Sequence, residues 1–187
     1  MTEEETLLAA IHEGVELLPH DLAWPGAFEL ERSRLSSLFP GVFVAIEHIG
    51  STAIPEMTAK PIIDILGGVD SLDGVDVLSR RLCESGYTTS EEFNASLHDR
   101  KWFMRWANGR RTHHLHVVVH DGPVWRDRLA FRDLMRANPQ AAAEYESLKA
   151  RLAIEYRDDR EAYTEAKARF VRAALSSPRL TSQMPTS

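Results

Sequence analysis

The sequence has one cysteine in 187 residues, Cys83. An intramolecular disulfide is thereby excluded, and so is a cysteine-rich zinc site. No apolar run approaches the roughly 20 residues of a membrane-spanning helix. The first residues, Met1-Thr2-Glu3-Glu4-Glu5, lack the basic start of a secretory signal. Basic residues are scarce in the first hundred positions, where 6 Lys and Arg stand against 18 Asp and Glu, a net of −12. Apolar residues at 43% and charged residues at 27% are otherwise ordinary for a globular chain. These figures predict a cytoplasmic protein with one main domain, able to close its core without disulfide or structural metal.

The second half reverses the charge. Residues 101–187 carry 16 basic and 10 acidic side chains, a net of +6. Much of that excess lies in Arg100–Arg136, with nine basic and three acidic residues. A basic stretch in an acidic chain suits a small polyanion such as a phosphate ester. The overall sign opposes non-specific binding to long nucleic acid. Attraction between the two halves is the competing account of the same asymmetry.

Leu7, Leu8, Ile11, Val15 and Leu18 recur at helical spacing and predict a short N-terminal helix. Pro25 fits the first turn of a second helix, stopped by Phe39-Pro40-Gly41. Val42–Ile49 and Ile62–Val69 read as strands, the latter buried on both faces. Leu72–Ser85 reads as a helix ended by Gly86. Trp102–Ala107 and Thr112–His120 read as a hairpin across Asn108-Gly109. Three helices follow: one after Pro123, one capped by Asn138, one opened by Asp158 with Glu161. The expected class is α/β (α+β), a mixed sheet with helices packed on it. The expected divisions are a helical extension over 1–20, a domain over 21–175 and a disordered tail over 176–187.

Three constellations can carry chemistry. Gly50-Ser51-Thr52 ends a strand in a turn whose N–H groups and hydroxyls can hold phosphate oxygens, or which is simply a turn. Asp64 interrupts an apolar strand four residues after Lys60. A buried carboxylate must face a cation, a metal or a partner, so Asp64 either serves a site or pairs structurally with Lys, Arg or His. Strand alternation puts Thr112, His114, His116, Val118 and His120 on one face and His113, Leu115, Val117 and Val119 on the other. Histidines at i, i+2 can share a transition metal, or be a polar strand face.

Together these segments resemble the GrpB family, a branch of the nucleotidyltransferase superfamily. The matching stretches are Trp24-Pro25-x-x-Phe28, Ile46 to Pro55, Lys60-Pro61-Ile62-Ile63-Asp64-Ile65, His114 to Val118, Phe131-Arg132-Asp133-Leu134 and Glu161 to Lys167. The resemblance implies a nucleotidyltransferase-like mixed β-sheet with a C-terminal helical segment. It also implies a nucleotide or phosphorylated small molecule at Gly50, Ser51, Thr52 and Lys60. Superfamily members place two carboxylates on one strand and a third on a later strand, to clamp two metal ions. Here Asp64 holds the first position, Leu66 the second, and His116 falls near the third. The resemblance therefore implies a reduced site, with Asp64 and His116 as catalytic residues and one divalent ion (Mg²⁺, Mn²⁺ or Zn²⁺) on His48, Asp64, His114 and His116. Nucleotidyl transfer and a non-catalytic, coenzyme A-related helper role are both implied by the resemblance.

Overall fold

The computed structural model describes residues 16–107, 109–157 and 159–176. Among them the chain runs α1 (Trp24–Leu38), β1 (Ala45–Ile49), a 3-10 turn (Ser51–Ala53), β2 (Ile63–Val69), α2 (Val75–Glu84) and β3 (Tyr87–Thr88). It continues through α3 (Glu91–Ser96), β4 (Lys101–Ala107), β5 (Arg110–Val119), α4 (Pro123–Ala137), α5 (Pro139–Glu155) and α6 (Arg160–Leu175). One sheet has the order β1-β2-β5-β4-β3. β2 and β5 are parallel and the other neighbours antiparallel. The mixed sheet expected from the sequence is the one observed.

Local chemistry sets the boundaries. Pro25 and Pro123 occupy first helical turns, where a missing N–H is harmless. Asn138 caps α5 by accepting the Ala141 N–H at 2.9 Å. α2 starts at Val75 rather than Leu72 because Gly74 precedes it in the left-handed conformation, φ 72°. The cap of α6 is Asp159, whose carboxylate accepts the Ala162 N–H at 2.9 Å. Asp158 and Asn108 lie outside the described residues, as do Leu7, Leu8, Ile11, Val15 and the tail from 177 onward. β3 and α3 were not expected, and at two and six residues they are too short to show a period.

Both sheet faces are covered. Trp24, Phe28 and Leu35 of α1 and Leu82 of α2 pack on Ile63, Ile65, Leu115 and Val117. On the opposite face Trp125 of α4 packs on Ile49, Leu66 and Val118. A third cluster joins Ile54 and Met57, just after the 3-10 turn, to Leu134, Met135, Tyr145 and Ala174 of the C-terminal helices. Each such buried side chain contributes about 1.5–3 kcal/mol of apolar transfer. The segment from 50 to 60 is thus clamped between sheet and helices.

Register decides which side chains share a face. Asp64 pairs with Ile49 on one side and His114 on the other, and Leu66 pairs with His116. His114 and His116 pair in turn with Met104 and Trp102. Residues in register point the same way, so Asp64, His114, His116 and Trp102 share the face that α4 covers.

Candidate functional site

The site begins at the Gly-Ser-Thr turn. Gly50 has φ 72° and ψ −173°, a region open essentially to glycine alone. A Cβ there would lie 2.9 Å from both Cβ and Cγ of Asp64 and overlap its Oδ2. The missing side chain lets the turn sit directly on the Asp64 carboxylate. Helix α4 fixes the turn from behind. Arg136 donates through Nε and Nη2 to the Ala53 carbonyl at 2.9 and 2.8 Å. Arg132 donates to Glu47 at 2.7 Å and to the His48 carbonyl at 3.1 Å.

Asp64 and His114 form a dyad, with Oδ1 and Nδ1 3.0 Å apart. Burial alone would raise the Asp64 pKa. The bond from His114, with the charges of His114 and Lys167, outweighs it and holds the carboxyl well below the usual range. His116 is held neutral by burial and by the nearby Arg128 guanidinium, which lower its pKa well below the ordinary value. Its Nδ1 is buried and meets no hydrogen-bond partner among the described residues.

Cations ring this dyad. Arg128 of α4 is depressed below its ordinary pKa, first by burial and then by Arg100 beside it. Asp64, Tyr145 and Asp99 act in the opposite direction and offset part of this. Lys60 and Lys167 both stand over the Tyr163 ring, 5.4 and 4.4 Å from its centroid. The Tyr145 phenol, raised in pKa by burial, lies within bonding reach of the Ser51 hydroxyl. Gly50 and Ser51 thus meet Asp64 where the turn sits on the sheet, with His114 and His116 on the same face, and this junction is the candidate cleft. The cleft lies over the central strands β2 and β5.

Two expected residues are elsewhere. His48 pairs with Ile65, not with Asp64, so it faces α1 and stacks on Phe28 at 4.7 Å between centroids. Burial lowers its pKa to about 4. Its Nε2 donates to Thr52 Oγ1 at 3.0 Å, and that hydroxyl donates to the Ile62 carbonyl at 3.3 Å. Thr52 is thus a buried brace of the turn and does not line the cleft. The four-residue metal set is split across the sheet by this parity. No group of three or more His, Cys, Asp or Glu side chains among the described residues is arranged to hold a metal ion. Leu66, at the second carboxylate position of the resemblance, is fully buried against Trp125 and Val118.

The basic stretch divides the same way. Arg105 pairs with the buried Glu31, Arg126 with Asp121, and Arg132 with Glu47 and Asp133. Of these pairs only those to Glu31 and Glu47 join the basic half to the acidic one, Arg100 pairs with its neighbour Asp99 at 3.0 Å, and Arg128 acts on Asp64 through its charge. Arg128, Tyr145, Tyr163 and Lys167 had not been singled out. The signal for the last two was present in the spacing Tyr163, Lys167, which puts both on one helix face.

A family model described as "GrpB protein" matches residues 14–177. UPF0157 protein YqkA of Bacillus subtilis is 37% identical over 160 residues, and the chain spans 46% of that relative's length. Glutamate-rich protein GrpB of Alkalihalophilus pseudofirmus is 39% identical over 166 residues, which is 87% of this chain and 94% of that one. The protein named dephospho-CoA kinase in Mycolicibacterium paratuberculosis is 28% identical over 182 residues, with the chain spanning 45% of its length. The crystal structure titled conserved protein GrpB from Enterococcus faecalis superposes with a TM-score of 0.71 at 30% identity, covering 86% of this chain and all of that one.

Proposed function

The chain belongs to the GrpB family, and on that footing we propose that its cleft binds a nucleotide or another small phosphorylated molecule. The observation that carries this reading is Arg128. A guanidinium drawn out of water is costly unless its charge is met, and this one, half-buried, is repelled by Arg100 while the more weakly acting Asp64 and Asp99 carboxylates offset only part of the cost. An anion supplied from outside relieves that cost. Ser51 and its turn N–H groups, Arg128, Arg100, Lys167 and Lys60 surround its place, and the Asp64–His114 dyad meets the ligand at a hydroxyl or a proton-bearing atom. The relative named dephospho-CoA kinase supports a nucleotide-like ligand for this fold.

Binding is favoured over two-metal nucleotidyl transfer because Leu66 occupies the second carboxylate position within the core. In this reading a divalent ion arrives on the ligand's own phosphates and meets one hard oxygen donor, Asp64.

The test is a thermal-shift panel of pyrophosphate, adenine nucleotides and coenzyme A, each with and without Mg²⁺, Mn²⁺ or Zn²⁺. A ligand at about 100 times its Kd adds about 2.7 kcal/mol, or roughly 5–10 °C for a domain of this size. Arg128→Gln is expected to abolish the shift while leaving the apo melting point unchanged or slightly raised, since the desolvated charge and its repulsion from Arg100 are removed. No shift with any phosphate-bearing compound overturns the reading. A large drop in the apo melting point makes Arg128 structural.

A further inference from the structure

An aromatic ledge continues the cleft toward β4. Trp102 lies in register with His116, and its ring centroid is 5.3 Å from that of His114. Phe93 of α3 meets Trp102 edge to face at 5.7 Å and 89°, yet remains 45% exposed. This placement is built. Asn94, buried, accepts the Trp102 N–H at 2.7 Å and donates to the Trp102 carbonyl at 3.0 Å. It also donates to Thr89 Oγ1 at 2.8 Å, and Thr89 donates to the same Trp102 carbonyl at 2.5 Å. Lys101 closes the end of α3 by donating to the Asn94 and Leu97 carbonyls at 2.7 and 3.1 Å. A six-residue helix has little stability of its own. Satisfied buried polar groups hold this one in place, and the large apolar side chain it presents is Phe93. The series Phe93, Trp102, His114, Asp64 then leads from a half-exposed ring to the proposed phosphate position.

We propose that Phe93 and Trp102 form a ring-stacking subsite for a nucleobase, so that the ligand is a nucleoside phosphate and not a simple phosphate ester or pyrophosphate. The proposal rests on the phosphate-binding reading of the cleft. An aromatic platform accepts the π-face of any base, so affinity follows the presence of the base more than its identity. A mostly apolar wall beside a few convergent polar groups is the usual form of such a pocket.

Calorimetric titration of the full chain with ADP and with pyrophosphate tests it. One stacked base supplies about tenfold or more in affinity, so ADP is expected to bind at least about tenfold more tightly than pyrophosphate. Phe93→Ala is expected to weaken ADP several-fold and leave pyrophosphate unchanged, and Phe93→Tyr to restore ADP binding. ADP stacked on Trp102 is expected to quench part of the tryptophan fluorescence of the unmodified protein, and Trp102→Phe to remove that quenching. Equal binding of ADP and pyrophosphate by the unmodified protein overturns the base subsite and leaves phosphate binding standing. A parallel loss of both ligands in Phe93→Ala also overturns it. Failure of both ligands to bind overturns the subsite and the cleft reading together.

Discussion

Gly50→Ala is expected to destabilise the protein by about 3–5 kcal/mol. Two costs act at once. The backbone at φ 72° and ψ −173° is held in a region where a side chain adds about 1–3 kcal/mol of strain. The new Cβ also meets Asp64 Cβ and Cγ at 2.9 Å, and overpacking of that kind costs about 1–3 kcal/mol. Asp64 cannot swing away cheaply, because β1 and β5 flank it and His114 holds its carboxylate. A domain with about 5–15 kcal/mol of total stability would keep a fraction of it. Gly26→Ala is the control. Gly26 lies within α1 with nothing within 4 Å of a new Cβ, so alanine there stabilises by up to about 1 kcal/mol. Urea melts of the two variants should move in opposite directions. A loss below about 1 kcal/mol at Gly50 would mean that the turn does not sit on Asp64.

Asp64→Asn carries the second large effect, about 2–3 kcal/mol of destabilisation at neutral pH. Losing one member of a buried pair costs about 3–5 kcal/mol. The Asp64 side chain is 29% exposed, and an amide oxygen can still accept from His114, so the figure is reduced. The attraction between the Asp64 carboxylate and the Lys167 charge is lost as well. The pH dependence follows from the lowered Asp64 pKa. A carboxyl depressed on folding stabilises fully above its unfolded value, about 3.9, and the contribution fades as pH falls toward the folded value. The gap between the two proteins should therefore be constant from pH 7 to about 5 and close below about 4. A carboxylate kept underpaired for a metal predicts the opposite sign, with the metal-free asparagine variant equal to or more stable than the parent. Melts in chelator distinguish the two.

The long elements were legible because their side chains repeat at a helical or alternating period. The apolar run Ile62–Val69 and the alternation through Leu115 and Val117 located the two central strands. Asp64 was legible because it interrupts an apolar strand, and His114 because the alternation of its strand puts it on the polar face. The failure at His48 has a physical cause. Whether His48 or Ile49 stands opposite Asp64 depends on the register of β1 against β2, and a slip of one residue exchanges the faces. The loop between these strands carries no tight-turn signature that would fix that register. Thr52 was misplaced for a related reason: in a 3-10 turn consecutive side chains point about a third of a turn apart, so Ser51 can face the cleft while Thr52 faces the core. Arg128 was hidden among eight other basic residues, most of which the fold neutralises or turns to its own carbonyls. Its role depends on which carboxylates come near in space.

The central claim is that the Gly-Ser turn and Arg128 hold the phosphate of a small ligand. A crystal structure of the protein grown with ADP tests it most directly. The account predicts a phosphate within hydrogen-bond distance of Arg128 and of the Ser51 hydroxyl or N–H, with the adenine against Trp102 and Phe93. ADP bound at another surface, with no phosphate at Arg128 while the Asp64–His114 cleft remains as it is, would contradict it.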